Sequence, residues 1–86
     1  MAHDDEHIRV WNAYFSPIHE WGVDCDQRCV KKSDYGTFGE YGWQIDHAVP
    51  LALGGPNTLA NKRPRHWRGN SRAGNALANA LQKRKG

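Results

Sequence analysis

Apolar residues recur at helical spacing near the start of the chain. Ile8, Trp11, Tyr14 and Phe15 fall on one face of a helix over residues 7–15. Asp4 or Asp5 can cap its start, where acids also suit the helix dipole. Pro17 ends it. These aromatics read as core. Ile18, Trp21 and Val23 carry the apolar supply on through a turn-rich stretch. Residues 25–33 fit a short helix or a strand equally well. Residues 34–42 (DYGTFGEYG) hold three glycines and no aliphatic residue, which is a loop.

The period then changes to two. Trp43 and Ile45 alternate with Gln44 and Asp46, so residues 43–49 predict a half-buried strand that Pro50 confines to an edge or an end. Gly54, Gly55, Pro56 and Asn57 mark a turn, and residues 61–65 fit a short second strand. From His66 onward the pattern is helical, although Gly69 and Gly74 each cost about 1 kcal/mol relative to Ala. Residues 76–85 (ALANALQKRK) make a further helix with cations at its carboxy end. The predicted class is α+β: a short hairpin followed by a helix, with a helix at each end of the chain.

Eighty-six residues hold one domain with one small core. That excludes Rossmann and barrel enzymes. No apolar run approaches the roughly 20 residues of a membrane span, and no basic start precedes an apolar stretch. The expected location is therefore cytoplasmic, away from membranes. Apolar content is only 38%, but four Trp, three Tyr and two Phe supply bulky core material, so most of the chain is expected to fold. Cys25 and Cys29 lack a second pair that would complete a four-cysteine zinc site. They read as small, partly buried thiols in a reducing compartment, with a disulfide or a zinc site borrowing a His as the alternatives.

The net charge of +3 hides a split. All nine acids lie at or before Asp46 with only four basic residues, a local net of −5; from His47 on there are eight Lys and Arg and no acid, a net of +8. A carboxy-terminal half of that kind points to a polyanion, nucleic acid first of all.

At the boundary stands Asp46-His47, a carboxylate for a cation beside a ring for a proton. Around it run Gly42-Trp43-Gln44-Ile45-Asp46-His47-Ala48-Val49-Pro50, Gly54-Gly55, Asn61, His66-Trp67 and Asn70. This segment resembles the HNH endonuclease family: an acid and a His on a first strand, Pro, a Gly-Gly turn, a middle Asn, and a closing His or Asn on a helix. The intervals of 14 residues from His47 to Asn61 and 9 from Asn61 to Asn70 look like those of the HNH module of RNA-guided nucleases and of small stand-alone phage and bacterial HNH proteins. The likeness covers roughly residues 29–75, with the motif itself in 41–75 and residues 1–28 as scaffold.

The resemblance implies a ββα-metal core around one divalent ion and a nuclease acting on double-stranded or nicked DNA. By position it makes His47 the general base and Asn61 the residue that orients it through backbone or ring. Asp46 and Asn70 become metal ligands, with His66 a further candidate whose plainer reading is packing beside Trp67. Hydrolysis of a phosphodiester needs a water that a neutral His can deprotonate, and a cation at the phosphate. One carboxylate and one amide oxygen suit Mg2+ or Mn2+; no structural zinc is expected. Lys62, Arg63, Arg65, Arg68 and Arg72 would hold backbone phosphates, their plainer reading being a solvated face. The family often has Lys where this chain has Ala73. Two other readings therefore stand beside the nuclease: a non-catalytic nucleic-acid-binding module on the same fold, and a small adaptor docking through its acidic, aromatic first half. His3, His7 and His19 lie outside the motif and read as surface or packing residues. Asn57 fits the turn better than the role of middle Asn.

Overall fold

The computed structural model describes residues 5–71. Within them the chain forms helix α1 (Glu6–Tyr14), strands β1 (Trp21–Val23) and β2 (Cys29–Lys31), strands β3 (Trp43–His47) and β4 (Lys62–His66), and the helical residues 67–71, called α2. It is an α+β arrangement of two separate antiparallel hairpins, β1–β2 and β3–β4. The expected helix over 76–85, the Lys position at Ala73 and Arg72 lie outside the described residues.

The core is aromatic. Trp11 of α1, Val30 of β2 and Trp43 of β3 form one fully buried cluster, with Phe15 and Ile45 packed on it. The ring centroids of Trp11 and Trp43 are 5.3 Å apart. Burying about 200 Å² of each indole is worth about 5 kcal/mol, which is why so short a chain can rest on so few core residues. Both indole N–H groups are satisfied: Trp11 Nε1 donates to the His19 carbonyl at 2.7 Å and Trp43 Nε1 to that of Lys31 at 2.8 Å.

Helix α1 turns Val10 and Trp11 inward, whereas Ile8 and Tyr14 stay largely exposed. The buried stripe is thus one residue narrower and rotated from the Ile8, Trp11, Tyr14, Phe15 face that spacing predicts. Asp5 occupies the capping position without a side-chain hydrogen bond. His7 packs, stacking on Tyr35 at 4.3 Å.

Strand β1 replaces the expected turn-rich stretch, and β2 takes the strand alternative for residues 25–33. Gly22 makes the hairpin fit, because a Cβ there would overlap the Phe15 ring. Its turn is built by Asp24, 2% exposed, whose Oδ1 accepts the N–H groups of Asp26 and Arg28. Asp24 Oδ2 accepts the His66 N–H at 2.8 Å, tying the turn to the end of β4. Cys25 and Cys29 are free and exposed rather than partly buried.

In β3–β4 the register pairs Trp43 with His66, Ile45 with Pro64 and His47 with Lys62; between them Gln44 pairs with Arg65 and Asp46 with Arg63. Alternation puts Trp43, Pro64 and His66 on the core side and Gln44, Asp46, Arg63 and Arg65 on the other. Strand β4 starts and ends one residue later than expected, so His66 is its last residue and the helical residues begin at Trp67. Among the described residues no helix is long and apolar enough to cross a membrane.

Candidate active site

The outer, polar side of β3–β4 borders a cleft of about 340 Å³. Asp46 and His47 line it from the end of β3, Arg63 and Arg65 from β4, and Asn70 from α2. Pro50, Leu51 and Ala52 close one wall from the loop after β3. Residues 24 positions apart are thereby brought to one concavity. Gly69 lets α2 sit close to this side, since a Cβ there would overlap the Asp26 carboxylate and crowd Arg28. The glycine that weakens the helical pattern in sequence is the one that admits the turn of the other hairpin.

His47 Nε2 lies 3.1 Å from Asn57 Oδ1. An amide oxygen accepts, so in that contact Nε2 is the donor, and in the neutral ring this tautomer leaves the lone pair on Nδ1. The residue on the ring is thus Asn57, not Asn61. Asn61 acts one step back, and 8% exposure fits that role. Its Oδ1 accepts the Val49 N–H at 2.9 Å, and its Nδ2 donates to the carbonyls of Val49 and Pro56. Its own carbonyl accepts the Ala48 N–H at 2.8 Å. Asn61 therefore pins the backbone that follows His47 and draws in the turn that carries Asn57.

The Asp46 carboxylate takes Arg63 Nε at 2.8 Å and Arg65 Nη1 at 3.5 Å, both on Oδ2. Arg65 is shared: its Nε and Nη2 also make a two-point contact with Asp26 at 2.7 and 3.0 Å. The hydrogen bond from Arg65 holds the Asp26 carboxyl below its ordinary value near 3.8, with the charges of Arg65, Arg28 and Arg63 acting in the same direction against a desolvation cost. The Arg65 guanidinium is correspondingly driven up by Asp26. Asn70 Nδ2 donates to Gln44 Oε1 at 2.7 Å, which fixes the amide against β3.

Three candidates from the sequence lie elsewhere. His66 is 4% exposed on the core side, and both ring nitrogens are spent: Nε2 donates to the Glu40 carbonyl at 2.8 Å and Nδ1 accepts the Arg68 N–H at 3.1 Å. A ligand role would require breaking one of these, so His66 is a packing residue. Lys62 pairs with Glu6 of α1 and clamps helix to strand. Arg68 lies over the Trp67 ring, 4.9 Å from its centroid, outside this cleft. Of the described basic candidates, Arg63 and Arg65 alone line it.

For a hard divalent ion the available donors are the Asp46 carboxylate and the Asn70 amide oxygen, in one cleft. They suit Mg2+ or Mn2+, which retain waters and take few protein ligands. Among the described residues no group of three His, Cys, Asp or Glu side chains converges as a closed metal cage would need. Compared with family models, curated proteins and solved structures, the chain matches none.

Proposed function

We propose that the chain is a metal-dependent endonuclease that hydrolyses phosphodiester bonds of DNA on a ββα-metal core formed by β3, β4 and α2. One observation carries this reading: Asp46, His47 and Asn70 line a single cleft together with Arg63 and Arg65. His47 Nδ1 takes the proton from the attacking water. The water oxygen forms the new bond to phosphorus as the ester oxygen leaves. Asn57 holds the ring, and Asn61 holds the loop that carries Asn57. Asp46 and Asn70 would hold a divalent cation, which would supply positive charge to the phosphate and the leaving oxygen. Arg63 and Arg65 exchange their carboxylate contacts for phosphate oxygens, which a guanidinium grips in the same two-point fashion.

A second reading has its own support. Asp46 is engaged by two guanidinium groups, and that pairing competes with a cation. It suits a module that binds nucleic acid without cutting it.

Supercoiled plasmid incubated with the protein separates the two. The nuclease reading expects relaxed or linear product with Mg2+ or Mn2+, and none with chelator. Salt-sensitive binding without product under either metal would leave the binding module.

A further inference from the structure

A second cleft, of about 410 Å³, opens on the other side of β4 and shares no lining residue with the first. Arg28, Phe38, Tyr41, His66 and Arg68 line it, with Glu40 as a carboxylate among them. Its edge is aromatic and unusually open. Phe38, on the glycine-rich loop before β3, is 70% exposed. Its ring stands edge-on to Trp67 at 5.5 Å. Trp67 is itself pinned: Nε1 donates to the Gly39 carbonyl at 2.8 Å, His66 stacks on one side at 5.7 Å, and Arg68 lies over the ring. On the far side Tyr41 meets Trp21 edge-on at 4.9 Å, and Lys31 sits over the Trp21 ring at 5.3 Å. Cations and aromatic rings therefore meet around the cleft: Arg28 and Arg68 line it with Phe38 and Tyr41, and the Lys31–Trp21 and Arg68–Trp67 pairs adjoin those rings.

This arrangement is poorly explained by packing. Phe38 gains little from a face left in water, and the core is complete without it. Basic side chains interleaved with exposed rings are what an unpaired nucleic-acid strand uses: rings stack with bases of any sequence while guanidinium and ammonium groups follow the phosphates. Charge favours this occupant, because Lys31, Arg28 and Arg68 outnumber Glu40 and the Asp26 that Arg28 pairs with.

We infer that the Phe38–Trp67–Arg68 strip binds single-stranded DNA, with one unpaired base stacked on Phe38. The inference rests on the nucleic-acid partner proposed above and not on cleavage.

The test is binding of a fluorescent 15-mer oligothymidylate and of a duplex of equal length, at low salt with chelator present, by the full chain. Phe38→Ala is expected to weaken the single strand about 10-fold, within the range measured for one base–aromatic stack, and the duplex less than about 2-fold. Phe38→Tyr should restore binding. Circular dichroism of each variant checks the fold. Unchanged single-strand affinity in Phe38→Ala, or equal loss on both DNAs, overturns the strip. Absence of binding to any DNA overturns both the strip and the nucleic-acid partner. His47-dependent cleavage that persists while Phe38→Ala binds normally sinks the strip alone, and a Phe38-dependent single-strand complex without cleavage sinks the nuclease alone.

Discussion

Asn57 engages one ring nitrogen of His47, and the proposed mechanism gives the other the role of base. Loss of that contact should free the ring without removing the base. Asn57→Ala is therefore expected to lower the single-turnover cleavage rate about 10-fold while leaving DNA affinity in chelator unchanged; equal rates would show that the hydrogen bond is incidental. Asp26 makes a prediction of a different kind. Its carboxyl is held low by Arg65, so the charged form is favoured by folding. A depressed folded value means the contribution is present above the ordinary value near 3.8 and disappears as pH falls through the folded one. The stability gap between wild type and Asp26→Asn, read as urea midpoints, should be constant from pH 7 to pH 5 and close below about pH 4. A gap that persists at pH 2 would contradict the pairing.

Between the hairpins, Asp24 does the joining. Three N–H donors, from Asp26, Arg28 and His66, converge on one buried carboxylate. Hydrogen bonds to charged groups contribute about 1.5–3 kcal/mol each and are costly to orphan, so Asp24→Ala should destabilise the fold by about 3 kcal/mol or more in urea unfolding. A loss below about 1 kcal/mol would mean the hairpins dock without it. At this scale the sequence was legible where backbone chemistry punctuates it. Pro50, the Gly-Gly turn and the alternation of Trp43 to Asp46 located β3 and the loop after it, and placed β4 within one residue. The hairpin β1–β2 was not legible. Its strands have three residues each, the ends of β1 are exposed, and its turn uses Asp24 and a left-handed Gln27 at φ 64° rather than an Asn-Gly signal. The site divides in the same way. Asp46, His47 and Asn70 were named by the family resemblance, and strand and helix bring the three to one cleft. Asn57 was read as a turn residue because its contact depends on how Asn61 folds the loop, which no local pattern encodes. His66 was weighed as a ligand because a helix starting there would put it one turn before Asn70; as the last residue of β4 it turns to the core instead.

The division of charge along the chain becomes a division across the molecule. The acidic first half folds back on the basic half, through Glu6 with Lys62, Asp26 with Arg65 and Asp46 with Arg63. Two of those pairs hold the arginines that border the cleft, so the acids mask part of the basic face instead of standing clear of it. On the proposed reading DNA would displace them, and the salt dependence of binding should report how many are displaced. Arg63→Ala is expected to reduce the slope of log affinity against log salt by about 1, the value for one phosphate contact. The claim on which the rest depends is that this cleft cuts DNA with His47 as base. Its most direct test is single-turnover cleavage of plasmid in Mg2+ by wild type and His47→Ala prepared side by side. The rate should fall at least about 100-fold in His47→Ala with duplex affinity in chelator preserved. Equal cleavage by the two proteins, or cleavage by wild type that chelator leaves untouched, would contradict it.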